Sequence, residues 1–166
     1  MKLLARVTAG TLTFDQETVP ASFGRSGACA SADKREGDGK TPLGTYRLQT
    51  ALIRPDRLAP RTSLPWRWLR PADGWSDDPA DPAYNRPVTH PHRHGAEQLW
   101  RKDHAYDIIL TLSHNTPPTP GLGSAVFLHC LQPDSRPTQG CVAVARETLA
   151  GWLPRIGPGS LLIIEP

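Results

Sequence analysis

The sequence predicts a single, mainly β domain, and three observations lead to this prediction. Short strand-like apolar segments recur along the 166-residue chain, each bounded by turn-forming residues. Proline (18) and glycine (14) are frequent, which favours turns and long loops. Against these many strand segments, one segment near the C-terminus has full helical spacing. We therefore expect one domain over residues 1–166, with one or two short helices and long loops.

The first part of the chain is predicted to consist of strands and turns. Strands are expected over residues 2–8, 10–14, 18–23 and 44–49. The first two are expected to form a hairpin around Ala9 and Gly10. Residues 31–42 contain turn-forming residues throughout.

The middle of the chain, residues 55–93, has no helical or strand periodicity and is rich in Pro, Trp, Asp and Arg. A loop of this length in a compact domain usually has a function or covers a site. Its tryptophans, Trp66, Trp68 and Trp75, either stack on a sugar or cover the core. A helical turn is predicted next, over residues 97–103.

The last part of the chain contains the strongest strand predictions and the helix. Strands are expected over residues 107–113, 124–130, 142–144 and 160–164. Between the last two, Ala145, Leu149 and Trp152 share helical spacing. Pro154 is expected to end this helix.

The charge of the chain does not indicate a nucleic-acid partner. The net charge is +3 and the pI is about 9.0, but the arginines are scattered through proline-rich loops. That distribution is more typical of a solvated surface than of a nucleic-acid interface. No stretch approaches the roughly 20 apolar residues of a membrane span, so no membrane span is expected.

The N-terminus and the cysteines bear on the cellular compartment. Residues 1–7 are too short and too interrupted for the apolar core of a secretory signal, which favours a cytoplasmic location. A periplasmic or cell-envelope location is expected if a leader has been removed. The three cysteines, Cys29, Cys130 and Cys141, cannot all pair within one chain. This odd number fits a reducing compartment or a free working thiol.

Cys141 is the strongest candidate for a catalytic residue. It ends the motif Thr138-Gln139-Gly140-Cys141. In the sequence it follows His129, which is the last residue of an apolar, strand-like segment. A free thiol is mostly protonated at neutral pH, since its pKa is roughly 8.5, and an imidazole on a rigid strand is a usual base for it. The glycine lets backbone N–H groups approach a reacting carbonyl. The pattern indicates a cysteine acyl-transfer enzyme, in which we expect a lowered Cys141 pKa.

Strand alternation separates His129 from its neighbour Cys130. Ala125, Phe127 and His129 are predicted to lie on one face of the strand, and Cys130 on the other. Cys130 is therefore expected in the core, as is usual for a free cysteine. The loop before Cys141 is long enough to bring that thiol back against His129.

Three motifs together resemble a known family. They are the stretch Gly37-Asp38-Gly39-Lys40-Thr41-Pro42-Leu43-Gly44-Thr45-Tyr46, then His129, then Thr138-x-Gly140-Cys141-Val142. Their conjunction resembles the L,D-transpeptidase catalytic domain (YkuD-like) of bacterial peptidoglycan enzymes, over nearly the whole chain. The resemblance implies a β-sandwich fold, with Cys141 as the nucleophile and His129 as its base.

The sequence departs from the commoner family motif at two positions. Gln139 stands where the motif has a histidine before Gly-Cys, and Ala143 stands where it has an arginine two places after the cysteine. These changes concern the acyl acceptor and the binding of a substrate carboxylate rather than the nucleophile.

The resemblance implies acyl transfer on peptidoglycan stem peptides or soluble muropeptides. Cys141 would cleave the L,D bond before the terminal D-amino acid, and the thioester would pass to water (L,D-carboxypeptidase) or to an amine (L,D-transpeptidase). Backbone N–H groups of Gln139 and Gly140 are expected to stabilise the oxyanion. No cofactor or metal is expected, and the cytoplasmic location favours the hydrolytic outcome.

Three further residues are predicted to contact the substrate. Thr138 is expected to orient the cysteine loop, and His114 and Asn115 are expected to line the cleft at the end of the 107–113 strand. The alternative interpretations are a plain turn hydroxyl for Thr138 and a turn-initiating residue for Asn115.

Other functional classes stay open. A catalytically inactive peptidoglycan-binding or interaction module is consistent with the two motif changes. A zinc hydrolase would use His90, His92 and His94, but Pro91 interrupts a regular strand and no cysteine or acidic residue has ligand spacing. A papain-like protease is disfavoured because its cysteine precedes its histidine in sequence.

Overall fold

The structure is a computed structural model that describes residues 1–59, 61–132, 134 and 136–166. Pro60, in the predicted long loop, and Pro133 and Ser135, in the loop before Cys141, lie outside the described residues. The described part is mainly β, as predicted. Its elements are β1 (Lys2–Arg6), β2 (Thr11–Phe14), β3 (Glu17–Ser22), β4 (Ala28–Ala30), β5 (Thr41–Ile53), β6 (Trp66–Trp68), β7 (Asp73–Ser76), β8 (Pro87–Thr89), β9 (Ala96–Gln98), β10 (Ile108–Leu112), β11 (Phe127–Cys130), β12 (Val142–Val144), α1 (Arg146–Trp152) and β13 (Leu161–Glu165).

The main sheet closes on itself. Its strands follow the order β10–β11–β12–β3–β2–β1–β13–β5, and β10 pairs again with β5. The 13-residue strand β5 pairs with β13 through residues 44–47 and with β10 through residues 48–53. Strand β3 is shared in the same way, since residues 17–20 pair with β2 and residues 21–22 with β12. The two halves of the predicted sandwich therefore share β3 and β5 as corner strands, which closes both edges.

The interior of this closed sheet holds the main apolar core. Leu3 of β1 and Val142 of β12 are among its fully buried residues. Helix α1 packs onto the same core through Leu149 and Trp152. The Trp152 ring lies 5.4 Å from the ring of Phe14. The predicted helix therefore forms because one apolar face covers the core.

A second apolar cluster lies on the outer face of β10 and β11. Along β11, Leu128 and Cys130 belong to the interior core, whereas Phe127 belongs to the outer cluster together with Ala125. This confirms the predicted alternation and the core position of Cys130. The small sheet β8–β7–β9 covers the outer cluster, where Trp75 of β7 lies edge-on to Phe127 at 5.0 Å between ring centroids.

The exposed tryptophans of β6 lie on the side of the sheet away from this cluster. Trp66 pairs with Ala51 and Trp68 with Ile53, and both partners belong to the interior core. Leu52, between them, belongs to the outer cluster. Because paired residues share a face, the two indoles lie opposite Leu52. They are 42% and 39% exposed, so they do not cover the core as Trp75 does.

Several predicted elements differ from those observed. The helical turn predicted over residues 97–103 is wrong, because residues 96–98 pair with β7 as strand β9. Strands β4 and β6–β9 were not predicted, since their segments lack an alternating pattern. Strand β5 extends beyond the predicted 44–49 at both ends. Pro154 lies in a 3-10 turn, Leu153–Arg155, that continues α1. No helix among the described residues is long and apolar enough to cross a membrane.

Candidate active site

A cavity of 450 Å³ opens beside β11 and the loop that precedes β12. Five of the seven predicted site residues line it, namely His129, Thr138, Gln139, Gly140 and Cys141. The first comes from a strand and the others from a loop, so the fold brings together the two parts of the predicted motif. Their contacts define what chemistry the cavity supports.

Cys141 immediately precedes β12, which runs parallel to β11. Its Sγ donates to the carbonyl oxygen of Ala125 at 3.1 Å and accepts from the N–H of Phe127 at 3.4 Å. Ala125 has a left-handed φ of 50°, and its N–H donates to Asn85 Oδ1 at 3.1 Å. The sulfur is therefore held by backbone groups at the start of β11.

His129 presents a proton-accepting nitrogen. Its Nδ1 faces two carbonyl oxygens, those of Ala105 at 3.2 Å and Cys130 at 2.8 Å. Because a carbonyl oxygen only accepts hydrogen bonds, Nδ1 carries the hydrogen, and Nε2 of the neutral ring has a free lone pair. The Tyr106 ring packs edge-on against the imidazole at 5.1 Å and fixes its plane. The ring is thus held in the tautomer whose Nε2 can accept a proton.

Burial keeps both groups neutral in the free protein. It lowers the pKa of His129 to about 4 and raises the pKa of Cys141 to about 12. Glu97 raises the Cys141 pKa further, while Lys34 lowers it. The expectation of a Cys141 pKa lowered below the usual range is therefore wrong for the free protein. The physical reason is desolvation, together with a thiol hydrogen that is held by a carbonyl oxygen.

Thr138 holds the cysteine loop. Its Oγ1 donates to the carbonyl oxygen of Cys141 at 2.7 Å and accepts from the N–H of Gly140 at 3.1 Å. Thr138 N also donates to the carbonyl oxygen of Phe23 at 2.8 Å. These bonds close the turn that carries Cys141, which fits both the predicted orienting role of Thr138 and the alternative of a turn hydroxyl. They also use the Gly140 N–H, which corrects its assignment as a free oxyanion donor, whereas that of Gln139 stays a prediction.

Gly140 is required by its backbone and its neighbour. Its φ is 138°, and a Cβ there would lie 2.8 Å from the carbonyl oxygen of Lys40. Asp38 holds that segment, since its carboxylate accepts from the N–H groups of Arg35 at 2.9 Å and Lys40 at 2.8 Å. It also forms an ion pair with Lys34 Nζ. The motif of residues 37–46 and the cysteine motif of residues 138–142 therefore meet where the Lys40 carbonyl lies against Gly140.

Another part of the cavity wall carries carboxylates. Glu36 accepts a hydrogen bond from Tyr84, and Glu97 accepts one from the Tyr106 hydroxyl at 2.5 Å. Burial raises the pKa of Glu97, whose carboxylate is enclosed although the residue keeps some exposed surface. Burial also raises the pKa of Asp77, and the nearby Glu36 adds to that shift. This wall is therefore complementary to a cationic group.

His114 and Asn115 are not among the described residues that line the cavity, which corrects their predicted place in the cleft. The His114 ring is buried, and its Nε2 donates to the carbonyl oxygen of Leu122 at 3.1 Å. The Asn115 side chain donates to the carbonyl oxygens of Thr119 and Gly123, both at 3.0 Å. Both side chains organise the loop that follows β10, as in the alternative interpretation of Asn115.

The histidine cluster pairs with separate carboxylates. His92 Nε2 lies 2.7 Å from Asp81 Oδ2, and His94 Nδ1 lies 3.4 Å from Asp78 Oδ2. Among the residues that the structure describes, no group of three or more His, Cys, Asp or Glu side chains is arranged to hold a metal ion. The zinc-hydrolase alternative therefore has no ligand set in the described part of the chain.

Seven charged or aromatic cavity residues were not among the predicted site residues: Lys34, Glu36, Asp77, Glu97, Arg101, Tyr106 and Arg136. Lys34 lies in a segment predicted as turns, and Glu97 and Arg101 lie in the segment predicted as a helical turn. The available signal was the spacing of Lys34 and Asp38, which are four residues apart and of opposite charge. That spacing predicts an ion pair between the two side chains, but it does not indicate that Lys34 lies next to the loop that carries Cys141.

Comparisons with known proteins identify the family of the chain. The family model of the L,D-transpeptidase catalytic domain (YkuD) matches residues 3–164. No curated protein matches the chain. The helical cell shape determining protein Pgp2 from Campylobacter jejuni is similar in structure, with 14% identity and a TM-score of 0.51 over 99% of this chain and 46% of that chain.

Two other solved structures are also similar. L,D-transpeptidase 1 from Mycobacterium tuberculosis has 12% identity and a TM-score of 0.44, over 99% of this chain and 60% of that one. Bd1075 from Bdellovibrio bacteriovorus has 18% identity and a TM-score of 0.49, over 98% and 46%. The chain thus spans 46–60% of the length of these three structures. The family match covers nearly all of the chain, so this protein belongs to the L,D-transpeptidase catalytic domain family.

Proposed function

We propose that this protein is a cysteine acyltransferase that cleaves the bond before the terminal D-amino acid of a peptidoglycan stem peptide, through a thioester on Cys141. One observation carries the proposal: the Cys141 thiol and the His129 ring line one cavity, with the ring in the tautomer whose Nε2 accepts a proton. Membership of the family supports peptidoglycan as the substrate.

The first step is proton transfer from the thiol. The hydrogen leaves the Ala125 carbonyl oxygen and moves to His129 Nε2, and the thiolate attacks the carbonyl carbon of the third residue of a stem tetrapeptide. As the C–S bond forms, the π electron pair of the carbonyl moves to its oxygen. We assign the N–H groups of Gln139 and Cys141 to this oxyanion. Each well-placed donor contributes about 3–4 kcal/mol.

The second step releases the D-amino acid. The oxyanion electron pair returns to form the carbonyl, the C–N bond breaks, and the leaving amine takes the proton from the His129 imidazolium. A thioester on Cys141 remains. Water or an amine then attacks it, His129 accepts the proton of the attacking group, and the thiolate leaves. Water gives a tripeptide (L,D-carboxypeptidase), and an amine gives a cross-link or an exchanged D-amino acid (L,D-transpeptidase).

The carboxylate wall supports a substrate that presents a free amine near the reacting carbonyl. Glu36, Asp77 and Glu97 line the same cavity as the thiol. An ammonium group bound there would relieve their mutual repulsion, since the proximity of Glu36 and Asp77 contributes to the raised Glu97 pKa. A stem peptide or an acceptor with a free amine meets this requirement.

Product analysis on a soluble disaccharide-tetrapeptide tests the proposal. The wild-type protein is expected to release D-alanine and to leave a tripeptide or, with an added D-amino acid or amine, an exchanged product. Cys141→Ala is expected to abolish turnover, because the acyl bond to sulfur cannot form. Cys29→Ala is the matched control: it removes a partly exposed thiol outside the described cavity lining and is expected to keep activity within about twofold.

Residual turnover in Cys141→Ala would exclude the thioester route. If the wild-type protein binds the tetrapeptide without releasing D-alanine, the chain is a wall-binding module instead. A mass increase on the Cys141 peptide equal to the tripeptide acyl group, trapped by acid quenching, is the direct sign of the intermediate.

A further inference from the structure

Lys34 is a buried cation in the wall of the cavity. It is 3% exposed and lines the same space as Cys141. Its ammonium group pairs with Asp38 and donates to the carbonyl oxygen of Arg35 at 3.1 Å. An ammonium has three hydrogens and accepts no hydrogen bond. Among the contacts of the described residues, these two acceptors leave the third hydrogen of Lys34 for a ligand.

The ammonium lies next to the loop that carries the nucleophile. A Cβ built on Gly140 would lie 3.5 Å from Lys34 Nζ, so the absence of a side chain there leaves the charge in contact with the loop. A Cβ on Gly123 would lie 3.0 Å from Lys34 Cγ and Cε. The lysine stem is thus packed against a second glycine, which fixes the direction of the charged end.

The other cations of the cavity are committed elsewhere. Arg101 forms a two-pronged pair with Asp103 at 2.9 and 2.6 Å, and Arg136 pairs with Asp134 on an exposed part of the rim. Ala143 lines the cavity where the commoner family motif has an arginine. Among the described cations that line the cavity, Lys34 is therefore the one next to the loop that carries Cys141.

From this placement we infer that Lys34 is a further catalytic residue of the proposed acyl transfer, whose third N–H binds the oxyanion formed from the stem-peptide carbonyl. The inference rests on the proposed function. Lys34 takes the role of oxyanion donor that was predicted for Gly140, because the Gly140 N–H already donates to Thr138. Lys34 keeps all three protons throughout: the negative charge moves from sulfur to oxygen as the C–S bond forms, and the ammonium stabilises the oxygen through its third N–H.

The test compares Lys34→Met with Lys40→Met on the disaccharide-tetrapeptide. Both variants remove one positive charge from the same loop, but Lys40 is exposed and does not line the cavity. We expect Lys34→Met to lower kcat about 100-fold or more with KM changed less than about threefold, the pattern for a group that acts in the transition state. Lys40→Met is expected to stay within about twofold of wild type. A kcat of Lys34→Met equal to that of Lys40→Met would overturn the inference.

A second substrate separates two roles for the charge. If the lysine binds the oxyanion, Lys34→Met lowers kcat equally for peptides that end in D-alanine and in D-alaninamide. A loss confined to the D-alanine peptide and to KM would place the charge on the terminal carboxylate and overturn the inference.

Two further measurements cover a purely structural role of the lysine. Ethylammonium added to Lys34→Ala is expected to restore part of kcat, which a packing role would not allow. In addition, the alkylation rate of Cys141 by iodoacetamide needs no peptide. Its pH profile is expected to shift to higher pH in folded Lys34→Met and not in Lys40→Met. Identical profiles and an absence of rescue would count against the inference. Loss of D-alanine release by the wild type itself would instead reject the proposed function.

Discussion

Cys141 and His129 are both neutral in the free protein, and the neutrality of each follows from its burial. The thiol hydrogen faces a carbonyl oxygen, and the imidazole is held by two others through Nδ1. A thiolate formed without substrate would lie in a low-dielectric site next to the Glu97 carboxylate. In the proposed mechanism, the proton leaves the thiol when a substrate supplies the carbonyl that takes up the charge.

Gly140 gives the sharpest prediction at the scale of single residues. Gly140→Ala is expected to lower the free energy of unfolding by about 1–3 kcal/mol, because a φ of 138° is strained for alanine and its Cβ would press on the Lys40 carbonyl. Gly151→Ala is the control: the added Cβ meets nothing within 4 Å and lies in α1, so it is expected to stabilise by up to about 1 kcal/mol. Urea unfolding followed by circular dichroism measures both. Equal stabilities of the two variants would contradict the structure.

Elements are joined by buried charges as well as by strand pairing. Asp107, which immediately precedes β10, is fully buried and accepts from Arg57, from Arg146 of α1 at 3.2 Å and from His104 at 2.8 Å. One carboxylate thus connects the segment after β5, the loop before β10 and the only α-helix of the described chain. Removing it would leave Arg57 with Asp56 at 3.9 Å and Arg146 with Glu147 at 3.2 Å, and both of these carboxylates are solvent-exposed.

Asp107→Asn is expected to lower the free energy of unfolding by about 3 kcal/mol, since a buried charge pair is broken from one side. The control is Asp15→Asn at the exposed pair with Arg155, which is expected to cost at most about 1 kcal/mol. Asparagine also tolerates the left-handed φ of 54° at residue 15. The comparison uses denaturant unfolding at one pH. A cost for Asp107→Asn no greater than that for Asp15→Asn would show that this carboxylate does not join the elements.

The elements that sequence analysis predicted are those with a complete apolar pattern. Strands β10 and β11 and helix α1 bury whole faces in the core, so their periodicity is visible in the sequence. Strands β7, β8 and β9 form a small sheet in a segment rich in proline and charge, where pairing partners rather than alternation determine the conformation. The segment predicted as a helical turn, residues 97–103, is the clearest example. Its first residues belong to β9, whose conformation is determined by pairing with β7.

At the scale of the whole molecule, the described residues form one closed sheet with a smaller sheet packed outside it. The presence of Cys141 and His129 in one cavity could be predicted because both residues lie in short motifs. Lys34 and Tyr106 are brought to the cavity only by the tertiary fold. The sequence around each of them does not indicate that it lies near Cys141. For the same reason His114 and Asn115 were misplaced: the strand end was predicted correctly, but the loop after it turns their side chains inward on itself.

Hydrogen exchange is expected to distinguish the two sheets. Amides of β10, which is buried along its whole length, should exchange only by global unfolding. Amides of β8, whose residues are exposed or partly exposed, should exchange by local opening, at least about 100-fold faster. Mass spectrometry of peptic peptides after deuterium labelling measures this contrast. Equal protection of the β8 and β10 amides would show that the small sheet and the main sheet unfold as one unit.

The position of β13 has a consequence for biosynthesis. This strand inserts between β1 and β5, pairing in parallel with the first and antiparallel with the second. A ribosome makes β1 and β5 long before β13, so both carry open hydrogen-bonding edges while the nascent chain is still tethered. The main sheet can therefore close only after β13 has left the exit tunnel. We expect chaperones that shield unpaired strands during translation to matter more for this protein than for one in which the corresponding strand lies at a sheet edge.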